Sequence, residues 1–161
     1  MKEEIRIWTK GLVLIDIPFE FRHPTFVSGK NDSERIEISY FRNSNSHIVS
    51  KVKFGKYAAG PPGIVHGGAI TSVLDETMGI ECYNNGYLAL TKELSIIFLK
   101  PVPIGAQLFT IGFVEDFDAE LLNSSSVLFD NNRIYSTSKG VFKIVKKNIV
   151  IEQICTYHYI I

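Results

Sequence analysis

A single stretch of helical periodicity, set among runs that alternate like strands, is the feature that most narrows what this chain can fold into. From Gly67 to about Tyr83 the residues Ile70, Val73, Leu74, Met78 and Ile80, with Thr77 among them, recur at the spacing of one helix face. Asn84-Asn85-Gly86 then supplies residues that tolerate the left-handed backbone with which helices end. Ahead of the helix, Glu34 to Phe41 and His47 to Phe54 flank a polar cluster, Arg42 to Ser46, and read as a hairpin. Lys56 to Gly63, with Pro61, Pro62 and two glycines, reads as a loop. Behind the helix, Thr91 to Lys100, Gln107 to Asp116, Ala119 to Phe129 and Arg133 to Val145 read as strands, with Val150 to Tyr159 as a candidate last one. Turns fall at Phe117-Asp118 and Asp130-Asn131-Asn132. One helix covering the apolar face of five or six mostly antiparallel strands is an α+β domain, with a core expected over about residues 33–147. In the first thirty or so residues Pro18, Pro24 and Gly29 favour a wandering segment over a long helix.

Composition excludes several classes of function. The 161 residues suffice for one domain with a core that needs no disulfide or metal. Seventeen basic residues balance seventeen acidic ones, so the footprint of a nucleic-acid binder is missing. Cys82 and Cys155 make neither a zinc spacing nor a disulfide framework and read as free thiols in a reducing compartment. His23, His47 and His158 have no partner at metal-ligand spacing. Glu3 and Glu4 precede any apolar run, unlike a signal peptide, and the Gly11 to Phe19 run is broken by Asp16 and Pro18, short of the ~20 residues of a membrane span. A cytoplasmic protein is expected.

The chemistry concentrates between Gly60 and Gly79. A stiff loop there delivers the chain through His66 into a helix that opens with Gly67 and Gly68. Glycines allow a ligand to approach the first-turn amides, which lack internal partners and sit at the positive end of the helix dipole. An oxyanion or a polarised carbonyl is well placed at such a terminus. No Gly-Lys-Ser/Thr follows, so this is not a phosphate-gripping loop. Asp75 lies eight residues beyond Gly67 on the same helix, roughly 12 Å along its axis. If both act on one carbonyl they must come from different subunits, so the spacing predicts, on that condition, a dimer with shared sites. Asp75 is favoured over Glu76 as the active carboxylate, and Asp is a poor mid-helix residue without a specific use.

The run Gly60-Pro61-Pro62-Gly63-Ile64-Val65-His66-Gly67-Gly68-Ala69 resembles the G-x-x-G-x-x-H-G-G-A loop of the hotdog-fold thioesterase superfamily, and Asp75 follows His66 at the nine-residue interval of that family. Leu90 to Gly105, with Pro101-Val102-Pro103, resembles the strand and Pro-x-Pro turn that come next. The similarity covers about residues 45–147 and is greatest to the phenylacetate-pathway thioesterases and to superfamily members acting on fatty acyl-CoA. It implies a hotdog fold and hydrolysis of an acyl-CoA thioester, with coenzyme A as part of the substrate and no cofactor. By the same resemblance Gly67 gives its N–H to the thioester carbonyl beside His66 and Gly68, and Asp75 of a neighbouring subunit serves as general base or nucleophile. Thr91, sixteen residues after Asp75, falls near a hydroxyl that orients water in relatives. Some relatives place an Asn where this chain has Gly60, so any help from that side chain is absent. The family forms homodimers and dimers of dimers.

Lys139, Lys143, Lys146 and Lys147 crowd the end of a late strand. They read either as a solvated edge that discourages sheet aggregation or as contacts to the coenzyme A phosphates, with Lys139 and Lys143 the candidates for binding. Cys82 reads as core packing. Against hydrolysis stand a hotdog dehydratase or hydratase, whose motif differs, a non-catalytic acyl-CoA sensor, and a protein that works only through its sheet surface.

Overall fold

The computed structural model describes residues 2–16, 26–28 and 32–146, with the Lys146 side chain excepted. Its elements are α1 (Lys2–Trp8), β1 (Val13–Leu14), β2 (Ile36–Arg42), β3 (Ile48–Phe54), α2 (Gly67–Asn84), β4 (Leu88–Phe98), β5 (Gln107–Phe117), β6 (Leu121–Phe129) and β7 (Ile134–Lys146). The strands form one sheet in the order β1-β2-β3-β5-β6-β7-β4, every neighbour antiparallel. The hotdog α+β architecture is therefore as expected, but with seven strands rather than five or six. The additional strand, β1, is two residues long, too short to show alternation. The candidate strand at 150–159 lies outside the described residues, as do Cys155, His23, His158 and Lys147.

Turn chemistry sets the hairpins. Asp118 Oδ1 accepts the N–H groups of Glu120 and Leu121, and Asp130 Oδ1 those of Asn132 and Arg133, the Asx arrangement that mimics a backbone turn. Asn43, 5% exposed, does the same for Asn45 and His47 while its amide donates to the Trp8 carbonyl. One side chain thus closes the β2–β3 turn and fastens it to the end of α1.

Helix α2 buries Ile70, Val73, Leu74, Thr77, Met78 and Ile80 against the sheet. Buried hydroxyls fix its rotation: Thr77 Oγ1 lies 2.7 Å from Thr110 Oγ1, which lies 2.6 Å from Ser50 Oγ, and Ser126 Oγ donates to the Leu74 carbonyl at 3.0 Å. Gly112 lets the sheet come close, since a Cβ there would sit 2.8 Å from Glu81 Cβ. Buried Cys82 packs with Met78, Leu122 and Phe142, and burial pushes its thiol pKa up to about 12, which suits the packing role expected of it.

A second helix covers the other face of the sheet. Val49 and Ile111 alternate with the inward-facing Ser50 and Thr110, and with Phe129 they pack around Ile5 of α1. Trp8 meets Phe129 and Phe113 edge-on, with ring centroids 5.1 and 6.1 Å away. At seven residues α1 is short of the long helix that Pro18 and Pro24 argue against, yet it makes the sheet a middle layer.

At the far end of α2, Glu81 is 1% exposed. Its carboxylate accepts the Ile48 N–H at 2.7 Å, lies 3.0 Å from His47 Nδ1 and takes the Asn85 amide at 3.2 Å. Burial pushes its pKa above the ordinary glutamate value, and the hydrogen bonds from Ile48, His47 and Asn85 oppose the rise without cancelling it. A carboxyl whose folded pKa exceeds its unfolded one stabilises the fold below the unfolded value, and that contribution is lost as pH rises through the folded value. The melting temperature should accordingly fall as pH rises above the ordinary glutamate range, and Glu81→Gln should flatten the slope. Parallel slopes for the two proteins in thermal unfolding would overturn this.

Candidate active site

The loop before α2 is held at both ends of its last stretch. Val65 N–H donates to the Val102 carbonyl at 2.9 Å and His66 N–H to the Ala58 carbonyl at 2.8 Å. Gly63, at φ +75°, sits in the turn just before them, where the Ile64 N–H donates to the Pro61 carbonyl at 3.0 Å. His66 is the N-cap, its backbone extended and its Nδ1 accepting from the Gly68 N–H at 2.9 Å. An amide can only donate, so Nδ1 must be the acceptor, which leaves the proton of the neutral imidazole on Nε2.

Three glycines shape this terminus. A Cβ on Gly68 would stand 2.9 Å from His66 Nδ1, and one on Gly60 would stand 3.2 Å from His66 Cα and 3.4 Å from its ring. Gly60 therefore makes room for the histidine where some relatives carry a side chain. A Cβ on Gly67 would stand 3.2 Å from the Phe98 ring of β4. Of the first four amides of α2, Gly68 donates to the histidine ring and Ala69 and Ile70 to the His66 carbonyl. The Gly67 N–H is left without a partner among the described residues, a donor at the positive end of an 18-residue helix.

Two turns along, half-buried Asp75 takes the Thr91 hydroxyl on Oδ1 at 2.8 Å. That bond uses Thr91's one proton and leaves its oxygen free to accept from water. The neighbouring carboxylate is engaged elsewhere: Tyr40, 3% exposed, donates to Glu76 Oε1 at 3.0 Å. Sequence reading assigned Tyr40 no role, and a contact across 36 residues leaves no local signal.

The two halves open into different clefts. His66 and Gly68 line one of about 800 Å³, together with Phe26, Arg35, Tyr57 and Ala69. Asp75, Glu76 and Thr91 line another of about 300 Å³, with Tyr83, Tyr87 and Phe142. Ser72, whose hydroxyl donates to the Gly68 carbonyl, borders both. Lys139 and Lys143 border neither. Ser138, Gly140 and Phe142 face α2, through Met78, so the alternate positions 139 and 143 project from the opposite face. Lys143 is ion-paired with Glu120, and Lys139 shares a separate depression with Glu93, Glu115 and Asp116.

Residues 62–117, which carry the helix N-terminus, Asp75 and Thr91, match the thioesterase superfamily. That segment carries the superfamily's pattern. Among curated relatives, the acyl-coenzyme A thioesterase THEM5 of Mus musculus is 30% identical over 143 residues, which are 88% of this chain and 51% of the relative. The chain thus spans about half the length of the curated relatives it matches. Among solved structures, smu.793 of Streptococcus mutans, bound to acetyl CoA, superposes with TM-score 0.63 at 17% identity, covering 77% of this chain and 99% of the other. A hypothetical thioesterase of Streptococcus pneumoniae has been solved with coenzyme A, at TM-score 0.63, 19% identity and coverage of 71% and 92%. These two likenesses bear on the fold.

Proposed function

We propose that this thioesterase-superfamily domain hydrolyses an acyl-CoA thioester to the free acid and coenzyme A, in a site completed by a second copy of the chain. The observation that carries the reading is the Asp75–Thr91 hydrogen bond on a helix that opens with an unpartnered Gly67 amide. The thioester carbonyl accepts from Gly67 N–H, with Nε2–H of the adjacent His66 a second donor. Asp75 of the other copy takes a proton from water, whose position Thr91 fixes by accepting its second proton. Hydroxide attacks the carbonyl, and the tetrahedral intermediate expels the coenzyme A thiolate, which is then protonated. Direct attack by Asp75, forming a mixed anhydride that water later opens, uses the same groups. No metal or redox group takes part in either route.

Strand β4 supplies a means of pairing. It ends the sheet order, so among the described residues one edge of its eleven residues has no partner strand, and Leu90, Ile97 and Phe98 on it are 63%, 59% and 52% exposed. Such an edge is a template for another chain, and a C2 pair would bring each α2 N-terminus toward the Asp75 of the other copy. The test is release of free thiol from a panel of acyl-CoA thioesters, followed by subunit mixing. His66→Ala and Asp75→Asn proteins, each impaired alone, should regain about a quarter of wild-type activity when unfolded and refolded together, because half the dimers are mixed and each holds one intact site. No recovery in demonstrably mixed dimers would place both groups of a site in one chain. Binding of acyl-CoA without thiol release would make the protein a sensor.

A further inference from the structure

We propose that Arg35 binds a phosphate of the substrate's nucleotide end, at the rim of the cleft that begins at His66 and Gly68; this rests on the acyl-CoA reading above. Arg35 lines that cleft, and apart from His66 no other basic side chain does so among the described residues. Its side chain is exposed and has no hydrogen bond or ion pair among the described residues. Among other basic side chains, Lys56 is engaged with Glu34 at 2.6 Å, Arg42 with Asn84 at 3.0 Å and Lys143 with Glu120. The two lysines that sequence reading favoured for the phosphates project from the other face of the sheet, away from the cleft.

The backbone that carries Arg35 is fixed relative to the helix N-terminus. Arg35 N–H donates to the Asp32 carbonyl at 2.9 Å, Gly55 N–H to the Arg35 carbonyl at 2.8 Å, and Tyr57 N–H to the Glu34 carbonyl at 2.8 Å. One residue on, Ala58 receives the His66 N–H. The last three of these bonds therefore join the guanidinium's anchor to the residue that caps α2. Between the two ends the wall is apolar, made by Val27, Ile36, Ala58 and Ala69, which suits the uncharged arm of a thioester. A cleft of about 800 Å³ is large enough for an extended ligand. Asp32 also lines it, with Oδ1 occupied by the Glu34 N–H, so an anion arriving there meets one carboxylate and needs the guanidinium to offset it. In an acyl-CoA the fixed negative charge resides on the phosphates, and the planar guanidinium fork matches phosphate oxygens in pairs.

The experiment presents one acyl group on coenzyme A, on 3′-dephospho-coenzyme A and on pantetheine. Arg35→Ala should lower kcat/KM on the coenzyme A thioester about tenfold, through KM rather than kcat, the size of a lost charge-assisted bond. The preference for coenzyme A over pantetheine should shrink by the same factor, and Arg35→Lys should retain most of it. A defect that persists on the dephospho thioester assigns the diphosphate, and one that disappears assigns the 3′-phosphate. Equal losses on all three thioesters, or an unchanged KM, would overturn the proposal, as would a shift in preference produced by Lys139→Ala or Lys143→Ala and not by Arg35→Ala. Should the wild type release no thiol from any thioester, the hydrolase reading falls by itself. Calorimetric binding of coenzyme A then decides on Arg35, which must still account for a roughly tenfold loss of affinity.

Discussion

Asp75→Asn should reduce thioester hydrolysis by about 10²- to 10⁴-fold, the usual contribution of a positioned general base. The substitution is nearly isosteric, and its carbonyl oxygen can still accept the Thr91 hydroxyl that Oδ1 accepts now. Asp75 is half-buried and makes no other hydrogen bond or ion pair among the described residues that an amide would break. Rate and stability should therefore separate, with turnover lost and the melting temperature held within a degree or two of wild type. Thiol release with saturating substrate, alongside a thermal melt, reads both. A variant that hydrolyses as fast as wild type would remove Asp75 from the chemistry and leave the fold untouched.

Gly55→Ala should be the most damaging single methyl that can be added to the domain, at roughly 3 kcal/mol, the upper end for overpacking. A Cβ there would lie 2.2 Å from the Ser33 carbonyl oxygen and 2.3 Å from the Glu34 carbonyl carbon. Those are backbone atoms, and the same segment is tied to Gly55 and Tyr57 by hydrogen bonds, so it cannot retreat as a flexible side chain would. Gly79 offers the contrast. It lies inside α2 with nothing within 4 Å of an added Cβ, so Gly79→Ala should stabilise by about 1 kcal/mol through helix propensity. Urea denaturation of the two variants should move the midpoint in opposite directions. A midpoint for Gly55→Ala close to wild type would show that the 33–35 turn is not held as described.

What could be read from the sequence follows the range of the interaction concerned. Helix α2 was legible to within a residue at its end because its signals are local: a glycine pair, a three-and-four repeat and Asn-Asn-Gly. The strands were legible to within a few residues, with β4 beginning three residues early because Leu88-Ala89-Leu90 follows directly on the turn at Gly86. Helix α1 was not legible, since seven residues with Ile5 and Trp8 one turn apart make a weak pattern. Its trace lies in β5, where Leu108, Phe109, Ile111, Phe113 and Val114 are apolar at both parities, as a strand covered on both faces requires. At the site, the glycine terminus and the place of Asp75 along the helix were readable from spacing, whereas Thr91 came only through the family resemblance. That Tyr40 occupies Glu76, that Glu81 receives His47 and Ile48, and that Arg35 borders the His66 cleft depend on contacts across more than thirty residues. Lys139 and Lys143 stood out because charge is visible in a sequence, while the strand parity that turns them away from the His66 cleft is not.

The position of α1 also governs where the domain can be cut. The recognisable strands begin near residue 34 and the superfamily match only at 62, so a fragment starting at residue 33 looks like a reasonable minimal unit. Such a fragment would take away Ile5 and Trp8 and leave Val49, Ile111, Phe113 and Phe129 facing water as one patch on a sheet. Contiguous exposed apolar surface of that kind drives association. The trimmed protein should precipitate or form soluble aggregates even with every group of the proposed site in place, so its failure in an assay would report on solubility rather than on catalysis.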